Sequence, residues 1–146
     1  MNDGAETCRL LQIWMLPDRR GHTPQYGSSQ YTDKDRANTL LQILHGTGQP
    51  PNWQGITRKG TPIHLHQDVN VFVSENEAGR KYELPLAPGR AAYIININGE
   101  LDVNGVKLNP SDAAEVESKG VEDMPLTLTA GDNGSHFMVI EMAQLY

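Results

Sequence analysis

The sequence has few of the features that mark secreted, membrane-spanning or zinc-binding proteins. Its single cysteine, Cys8, excludes an intramolecular disulfide and any CxxC zinc motif, and it is compatible with a reducing cytoplasm. No apolar run approaches the length of about 20 residues that a membrane-spanning helix needs. The opening "MNDGAETCRL" contains acidic residues and no apolar run, so it predicts no signal peptide. We therefore expect a cytoplasmic location.

Positive charge is also scarce. Lysine and arginine together number 12 against 18 aspartates and glutamates, which gives a net charge of −6. The basic residues are scattered along the chain rather than massed on one element. Because a phosphate backbone or an anionic membrane surface is recognised by clustered basic side chains, we expect no nucleic-acid and no membrane partner.

Short apolar runs, separated by glycine and proline, make up most of the sequence. The 14 glycines and 9 prolines, with no helix-length amphipathic segment, favour β-strands, and 146 residues suit one domain. Turn signals are predicted at "NG" 98–99, "NG" 104–105 and "GDNG" 131–134. A many-stranded sheet removes its edges by closing, so the pattern predicts a single all-β domain, a sandwich or a barrel. The predicted strands are "RLLQIWML", "TLLQILH", "IHLHQDVNVFVSEN", "KYELPL", "AAYIININGELDV", "VKL", "AAEVES", "LTLTA" and "HFMVIEMAQ".

Two long polar segments, residues 17–38 and 46–55, interrupt this pattern. Such segments often carry function or reach a neighbouring molecule, although plain surface connection is the commoner role. Trp53 stands out in the second segment, because an aromatic side chain there either folds over a barrel mouth or packs on a partner. We predict a flexible leader at residues 1–8 and a β-barrel domain at 9–146, with residues 17–38 as a long polar arm.

The stretch "TPIHLHQDVNVFV" places His64, His66 and Asp68 at alternate positions of a predicted strand. Side chains at this spacing project from one face, so the three could form a metal site. The alternative is a solvated strand face in which Asp68 bonds to neighbouring backbone. A metal site would need a third or fourth ligand from elsewhere, so the second interpretation is favoured.

The order of several segments resembles the pirin family. These are "LQIWMLP", "TPQYGSSQY", "HQDVNVF" with "ENEAG", "GRAAYIININGELDVNGVKLNPSDAAEV" and "LTLTAGDNGSHFMVIEM". The likeness covers nearly all of the chain after Arg9. More specifically, the chain resembles the C-terminal half of bacterial pirin-like proteins, which are two-domain cupins associated with quercetin dioxygenase activity. The resemblance implies a cupin fold, a double-stranded β-barrel of jelly-roll type. It also implies that the metal of such proteins is held by the N-terminal half.

The spacing of the first cupin metal motif can be placed between Gly79 and Gly99. Its two histidines then fall on Pro85 and Ala87, and its glutamate falls on Ala92. First-row divalent metals need several nitrogen, oxygen or sulfur donors, which these side chains do not offer. The resemblance therefore implies a barrel without the cupin metal site, and no cofactor is expected.

The histidine of the second cupin motif falls on Glu115, after the turn at residues 110–112. At that position Glu115 would face the barrel interior and could bind a cationic or hydroxyl-bearing ligand, or it would sit near solvent at the barrel mouth. Tyr93 alternates with Ile95 and Ile97 and is predicted to lie in the core. Glu115, Tyr93 and Trp53 are the candidate residues of a ligand pocket.

Two functions remain open. The first is a metal-free, non-catalytic cupin domain that binds a small molecule in the barrel or a protein on its surface. The alternative is a metal-dependent cupin dioxygenase of quercetinase type, for which His64, His66 and Asp68 would be the candidate ligands. The apolar residues near the start, Leu11, Ile13 and Trp14, are the candidate interface of a homodimer, because exposed apolar patches tend to be buried by association.

Overall fold

Nine β-strands and one short helix are present in the described part of the chain, residues 4–5, 7–60 and 62–144 of a computed structural model. They are α1 (Asp33–Arg36), β1 (Leu40–His45), β2 (Ile56–Thr57), β3 (Ile63–His64), β4 (Val69–Asn76), β5 (Lys81–Glu83), β6 (Arg90–Val103), β7 (Val106–Leu108), β8 (Ala113–Glu117) and β9 (Thr127–Ala143). The predicted all-β class is confirmed. No helix among the described residues is long and apolar enough to cross a membrane.

The two longest strands, β6 and β9, take part in both layers of the barrel. In the larger layer, β2 and β3 pair with β1, followed by β4, the second half of β9, the first half of β6 and β8. In the smaller layer, β5 pairs with the first half of β9, which pairs with the second half of β6 and then β7. This sharing of long strands gives the jelly-roll barrel that the resemblance implied.

Glycines allow β6 and β9 to bend from one layer into the other. Gly99 and Gly134 have φ angles of 71° and 75°, and a Cβ at Gly99 would lie 2.3 Å from the carbonyl oxygen of Gly134. The predictions of turns at "NG" 98–99 and at "GDNG" 131–134 are wrong, because β6 runs through the first and β9 through the second. The same residues that make a hairpin turn also make a bulge, and here a neighbouring strand keeps the chain extended.

Apolar side chains are buried on both faces of the larger layer. Between the layers lies the main core, which includes Leu40, Phe72, Ile94 and Phe137. On the outer face a second cluster, built around Val71, is covered by Met15 and other partly buried residues. Burial on both faces explains why apolar side chains occupy successive positions in "VFV" of β4 and "AAYII" of β6.

Residues 9–16, predicted as a first strand, form no strand. The segment lies across the barrel, where the Gln67 side chain donates a hydrogen bond to the carbonyl of Leu16 (2.9 Å). Strand formation needs a partner edge, which apolar composition alone does not provide. Residues 17–38 contain no strand, only α1 and a bridge from Ala37 to Glu75. Of the predicted leader at 1–8, residues 1–3 and 6 lie outside the described residues.

The half-buried His136 on β9 predicts a pH effect on stability. Burial lowers the pKa of His136 below its ordinary value of 6.5, and the carboxylate of Glu75 opposes this shift. The folded state therefore prefers the neutral ring, and its contribution to stability is present above pH 6.5 and lost as the pH falls towards the lowered pKa.

We expect the free energy of unfolding of the native chain to fall between pH 7 and about pH 5, and that of His136→Gln to fall less. Urea unfolding at each pH measures both. Carboxylates such as Glu83, whose pKa is lowered from 4.5, affect stability below this pH range. They are present in the native chain and in His136→Gln alike, so they do not change the comparison. If the free energy of unfolding fell equally with pH in the native chain and in His136→Gln, His136 would not be the cause of the pH effect.

Candidate cavity site

The segment 46–55 closes one end of the barrel by folding Trp53 inward. Trp53 is 5% exposed, its Nε1 donates a hydrogen bond to the carbonyl of Pro85 (2.8 Å), and its ring centroid lies 5.3 Å from that of Phe72. The base of the segment packs tightly on the chain before β4. A Cβ at Gly46 would lie 1.8 Å from the carbonyl oxygen of Gln67, so only glycine fits there without movement.

A cavity of about 430 Å³ lies beside Trp53 at this end of the barrel. Pro50, Pro51 and Pro85 form part of an apolar wall, and Pro85 and Ala87 occupy the positions assigned above to the cupin histidines. The polar lining includes Arg90, Asp123 and Glu141. The cavity thus combines flat apolar surfaces with charged groups, an arrangement typical of small-molecule sites.

A row of polar side chains crosses the interior of the larger layer at the cavity. Glu141 on β9 accepts hydrogen bonds from Arg90 Nε (2.5 Å) and from Asn70 Nδ2 (2.9 Å). Asn70 Oδ1 in turn accepts a hydrogen bond from Gln42 Nε2 (2.9 Å), and Gln42 Oε1 accepts one from Arg58 Nε (2.6 Å). These contacts link neighbouring strands β1, β4, β9 and β6 through groups that could not be buried alone.

Arg90 is the central cation of this row. Its Nη1 also donates to Asp68 Oδ2 at 2.7 Å, so the guanidinium bridges two carboxylates. Burial lowers the pKa of Arg90, but the hydrogen bonds to Glu141 and Asp68 outweigh that effect and raise it above its ordinary value. Arg90 therefore stays charged at every pH at which the protein is folded.

Two atoms of this ion-pair network have no hydrogen-bond partner among the residues that the structure describes. Arg90 Nη2 and Asp68 Oδ1 are buried, and neither makes a hydrogen bond within the described chain. One is a donor and the other is an acceptor. An acceptor atom of a water molecule or ligand would satisfy Arg90 Nη2, and a donor atom would satisfy Asp68 Oδ1.

The predicted metal triad does not come together. Residues 65–68 leave the strand, so Asp68 turns to Arg90, while the His66 ring stacks on His22 with ring centroids 3.9 Å apart. The ring of His64 lies against His45, at 4.9 Å between centroids. Among the described residues, no group of three or more histidine, cysteine, aspartate or glutamate side chains could hold a metal ion. The expectation that Asp68 bonds to backbone is also wrong, since its partner is the Arg90 side chain.

The predicted pocket residues divide between the inside and the outside of the barrel. Trp53 lines the cavity. Glu115 is exposed, because Ala114 and Val116 on either side of it pack against the core. In the turn before β8, the residue with left-handed backbone is Ser111 (φ 75°). This is one position earlier than the glycine of the cupin motif. A shift of one residue turns every side chain of the following strand to the opposite face. The inward orientation predicted for Glu115 is therefore wrong.

Tyr93 lies on the outer face of the larger layer, opposite Glu115, and is 39% exposed. Ile95 and Ile97 lie on the same face and are partly buried in the outer cluster. The predicted placement of Tyr93 in the core is wrong, because the neighbouring residues Ala92 and Ile94 are the ones that point into the barrel.

The sequence reasoning missed Arg90 and Glu141. The signal was present in "FMVIEMA", where Glu141 shares strand parity with Phe137 and Val139, both of which are buried. A single carboxylate at an interior position of an apolar strand indicates a buried polar site that needs a partner.

Comparison with known proteins identifies relatives along most of the chain. The family model described as the quercetinase C-terminal cupin domain matches residues 56–142. A Pseudomonas aeruginosa protein named "Putative quercetin 2,3-dioxygenase" is 30% identical over 139 residues, 95% of this chain and 54% of that protein. A pirin-like protein of Caulobacter vibrioides is 26% identical, over 92% of this chain and 52% of its own.

The fold is also found in solved structures. The crystal structure of YhhW from Escherichia coli superposes with a TM-score of 0.70 at 20% identity, covering 91% of this chain and 49% of that one. The structure of the same bacterial pirin in complex with nickel(II) gives a TM-score of 0.67 at 19% identity, covering 90% and 49%. The chain thus spans about half the length of the relatives it matches.

Proposed function

Because this chain belongs to the family of the quercetinase C-terminal cupin domain, we propose that it is a metal-free, non-catalytic cupin domain that binds a small molecule in the cavity beside Trp53. The observation that carries this proposal is the charged wall of the cavity. Arg90 and Glu141 line the cavity as an ion pair, and Asp68 binds Arg90 as a second carboxylate from outside the lining. Among the described residues, Arg90 Nη2 has no hydrogen-bond partner and remains an available donor. Such a site can recognise a ligand by hydrogen bonds without a metal.

The lining favours a flat ligand that carries hydroxyl or amino groups. Trp53 and the prolines offer apolar surface, and hydroxyl or amino groups can both donate to the carboxylates and accept from the guanidinium. An anion is disfavoured, because the carboxylates of Glu141 and Asp123 line the same cavity and Arg90 is already paired with Glu141.

The alternative function is a metal-dependent dioxygenase of quercetinase type. It is favoured by the names of the relatives and by the nickel complex of the bacterial pirin. The donor set of the cavity does not suit it: Glu141 is engaged with Arg90, and the positions of the cupin histidines hold Pro85 and Ala87. We therefore assign no step of this chain's function to a metal.

Ligand binding can be followed through Trp53 itself. The chain has two tryptophans, and Trp14 is 92% exposed, so Trp14→Phe leaves Trp53 as the single fluorescent reporter of the cavity. We expect quercetin, catechol or tyramine to change the Trp53 emission in a saturable manner, without dioxygen consumption. Emission that is insensitive to all three probes would contradict the proposed ligand class.

The matched control is Trp53→Phe, which keeps only the exposed Trp14. The same probes should then produce no saturable change, because Trp14 lies outside the cavity lining. Turnover of quercetin that depends on added nickel or iron, and that is lost in His64→Ala, would support the dioxygenase instead.

A further inference from the structure

The segment at residues 10–16 presents an apolar surface to solvent. Single exposed apolar residues are ordinary on protein surfaces, but contiguous groups of them mark interaction sites. Met15 is the member of this segment that turns inward, into the outer cluster of the larger layer. The exposed members are Leu10 (69% exposed), Leu11 (47%), Ile13 (40%), Trp14 (92%) and Leu16 (83%).

This surface is held in a fixed position on the barrel. Arg9 Nη1 donates a hydrogen bond to the carbonyl of Ile97 at 3.0 Å, and the Gln67 side chain donates to the carbonyl of Leu16 at 2.9 Å. Just after the segment, the backbone amide of Asp18 donates a hydrogen bond to the carbonyl of His66 at 2.7 Å. An apolar surface anchored at both ends loses little further conformational entropy on binding, so it is prepared for a partner.

The apolar surface continues onto the barrel. Tyr93 is 39% exposed on the same outer face of β6 as Ile97, whose carbonyl anchors Arg9. Tyrosine is enriched at interfaces because it combines a large apolar ring with a polar tip. We call residues 10–16 together with Tyr93 the outer apolar patch.

The total surface of the chain is larger than that of a compact monomer. Its accessible surface is 9613 Å², whereas a monomer of 16.1 kDa is expected to expose about 7,400 Å². The excess is well above the roughly 800 Å² that each partner buries in a stable interface. The surplus belongs to the whole chain, and the exposed residues of segment 10–16 contribute to it.

We propose that the outer apolar patch is the interface of a two-fold dimer with a second copy of this chain. In a two-fold pair, the segment 10–16 of each copy packs against Tyr93 of the other copy, so the outer apolar patch of both copies is covered. Charge favours this occupant. The residues that flank the segment are three arginines, Arg9, Arg19 and Arg20, and one carboxylate, Asp18, which is paired with His22. Beside Tyr93, Glu115 and the ion pair of Glu117 with Lys119 leave a net negative charge. The net charge of −6 disfavours an anionic membrane as the occupant.

The test is the mass of the chain in solution at micromolar concentration, by light scattering during gel filtration. We expect twice the monomer mass of 16.1 kDa, and a dimer at least about tenfold weaker in Trp14→Glu. Because Trp14 is 92% exposed, the charge should leave the monomer folded, which circular dichroism checks. The proposal does not depend on ligand binding, so a failed probe titration leaves it standing.

Val106→Glu is the matched control. Val106 is 59% exposed on β7, in the smaller layer, and the same charge there should leave the dimer unchanged. A monomer at micromolar concentration would overturn the proposal, and so would a dimer that Trp14→Glu leaves intact or that both variants weaken equally. Co-sedimentation of a monomeric chain with phosphatidylserine vesicles would overturn it in favour of a lipid surface.

Discussion

Replacing Arg90 by methionine is expected to lower the free energy of unfolding by about 3–5 kcal/mol at neutral pH. The substitution removes the positive charge but keeps much of the apolar stem. It leaves Glu141, whose side chain is 3% exposed, as a buried carboxylate whose remaining hydrogen-bond donor among the described residues is Asn70. Urea unfolding monitored by circular dichroism measures the loss, which should shrink at acidic pH because the stranded carboxyl group can then be protonated.

Two variants separate this effect from a general loss of charge. Lys81→Met removes the cation of an exposed ion pair with Glu83, where both side chains are more than half exposed, and should cost much less stability than Arg90→Met. The double variant Arg90→Met with Glu141→Leu should recover much of the stability, because no buried charge remains unpaired. A loss for Arg90→Met no larger than that for Lys81→Met would contradict the buried ion pair.

Gly46→Ala is expected to destabilise the protein by about 3 kcal/mol and to loosen the segment that carries Trp53. A Cβ at Gly46 would lie 1.8 Å from the carbonyl oxygen of Gln67 and 2.7 Å from that of Val69. Both obstacles are backbone atoms, one just before β4 and one at its first residue, so they cannot rotate away as a side chain would. The fluorescence of Trp53 in a Trp14→Phe background should shift towards that of an exposed indole, and thermal unfolding measures the stability.

Gly120→Ala is the control for this prediction. A Cβ at Gly120 would meet nothing closer than 3.8 Å. Its substitution should be close to neutral for both stability and Trp53 emission. If Gly46→Ala behaves like Gly120→Ala, the tight packing of segment 46–55 on the chain before β4 is refuted.

The barrel could be predicted because alternation and turn residues are local signals. Asn104 and Gly105 both have positive φ angles and connect β6 to β7, as the "NG" signal predicted. Residues 9–16 have the composition of a strand but lie against the face of the sheet rather than at an edge, where pairing would be possible. Whether an apolar stretch pairs or packs is decided by distant residues such as Gln67, which lies 51 positions from Leu16.

The site was harder to predict for the same reason. Trp53 could be identified by its contrast with the polar segment around it, whereas the pairing of Arg90 with Glu141 joins residues 51 positions apart. Glu115 was misplaced by the spacing of a family motif whose turn is shifted here by one residue, at Ser111. Motif spacing fixes the orientation of a strand residue only when the preceding turn has the same length.

The central claim is that the cavity beside Trp53 recognises a small molecule through its own side chains, without a metal. Calorimetric titration of quercetin into the full chain, treated with EDTA and compared with the same chain supplied with nickel(II), tests this claim most directly. We expect the same stoichiometry and affinity in both samples, and weaker binding by Trp53→Ala. Binding that occurs only in the nickel-loaded sample would refute recognition without a metal.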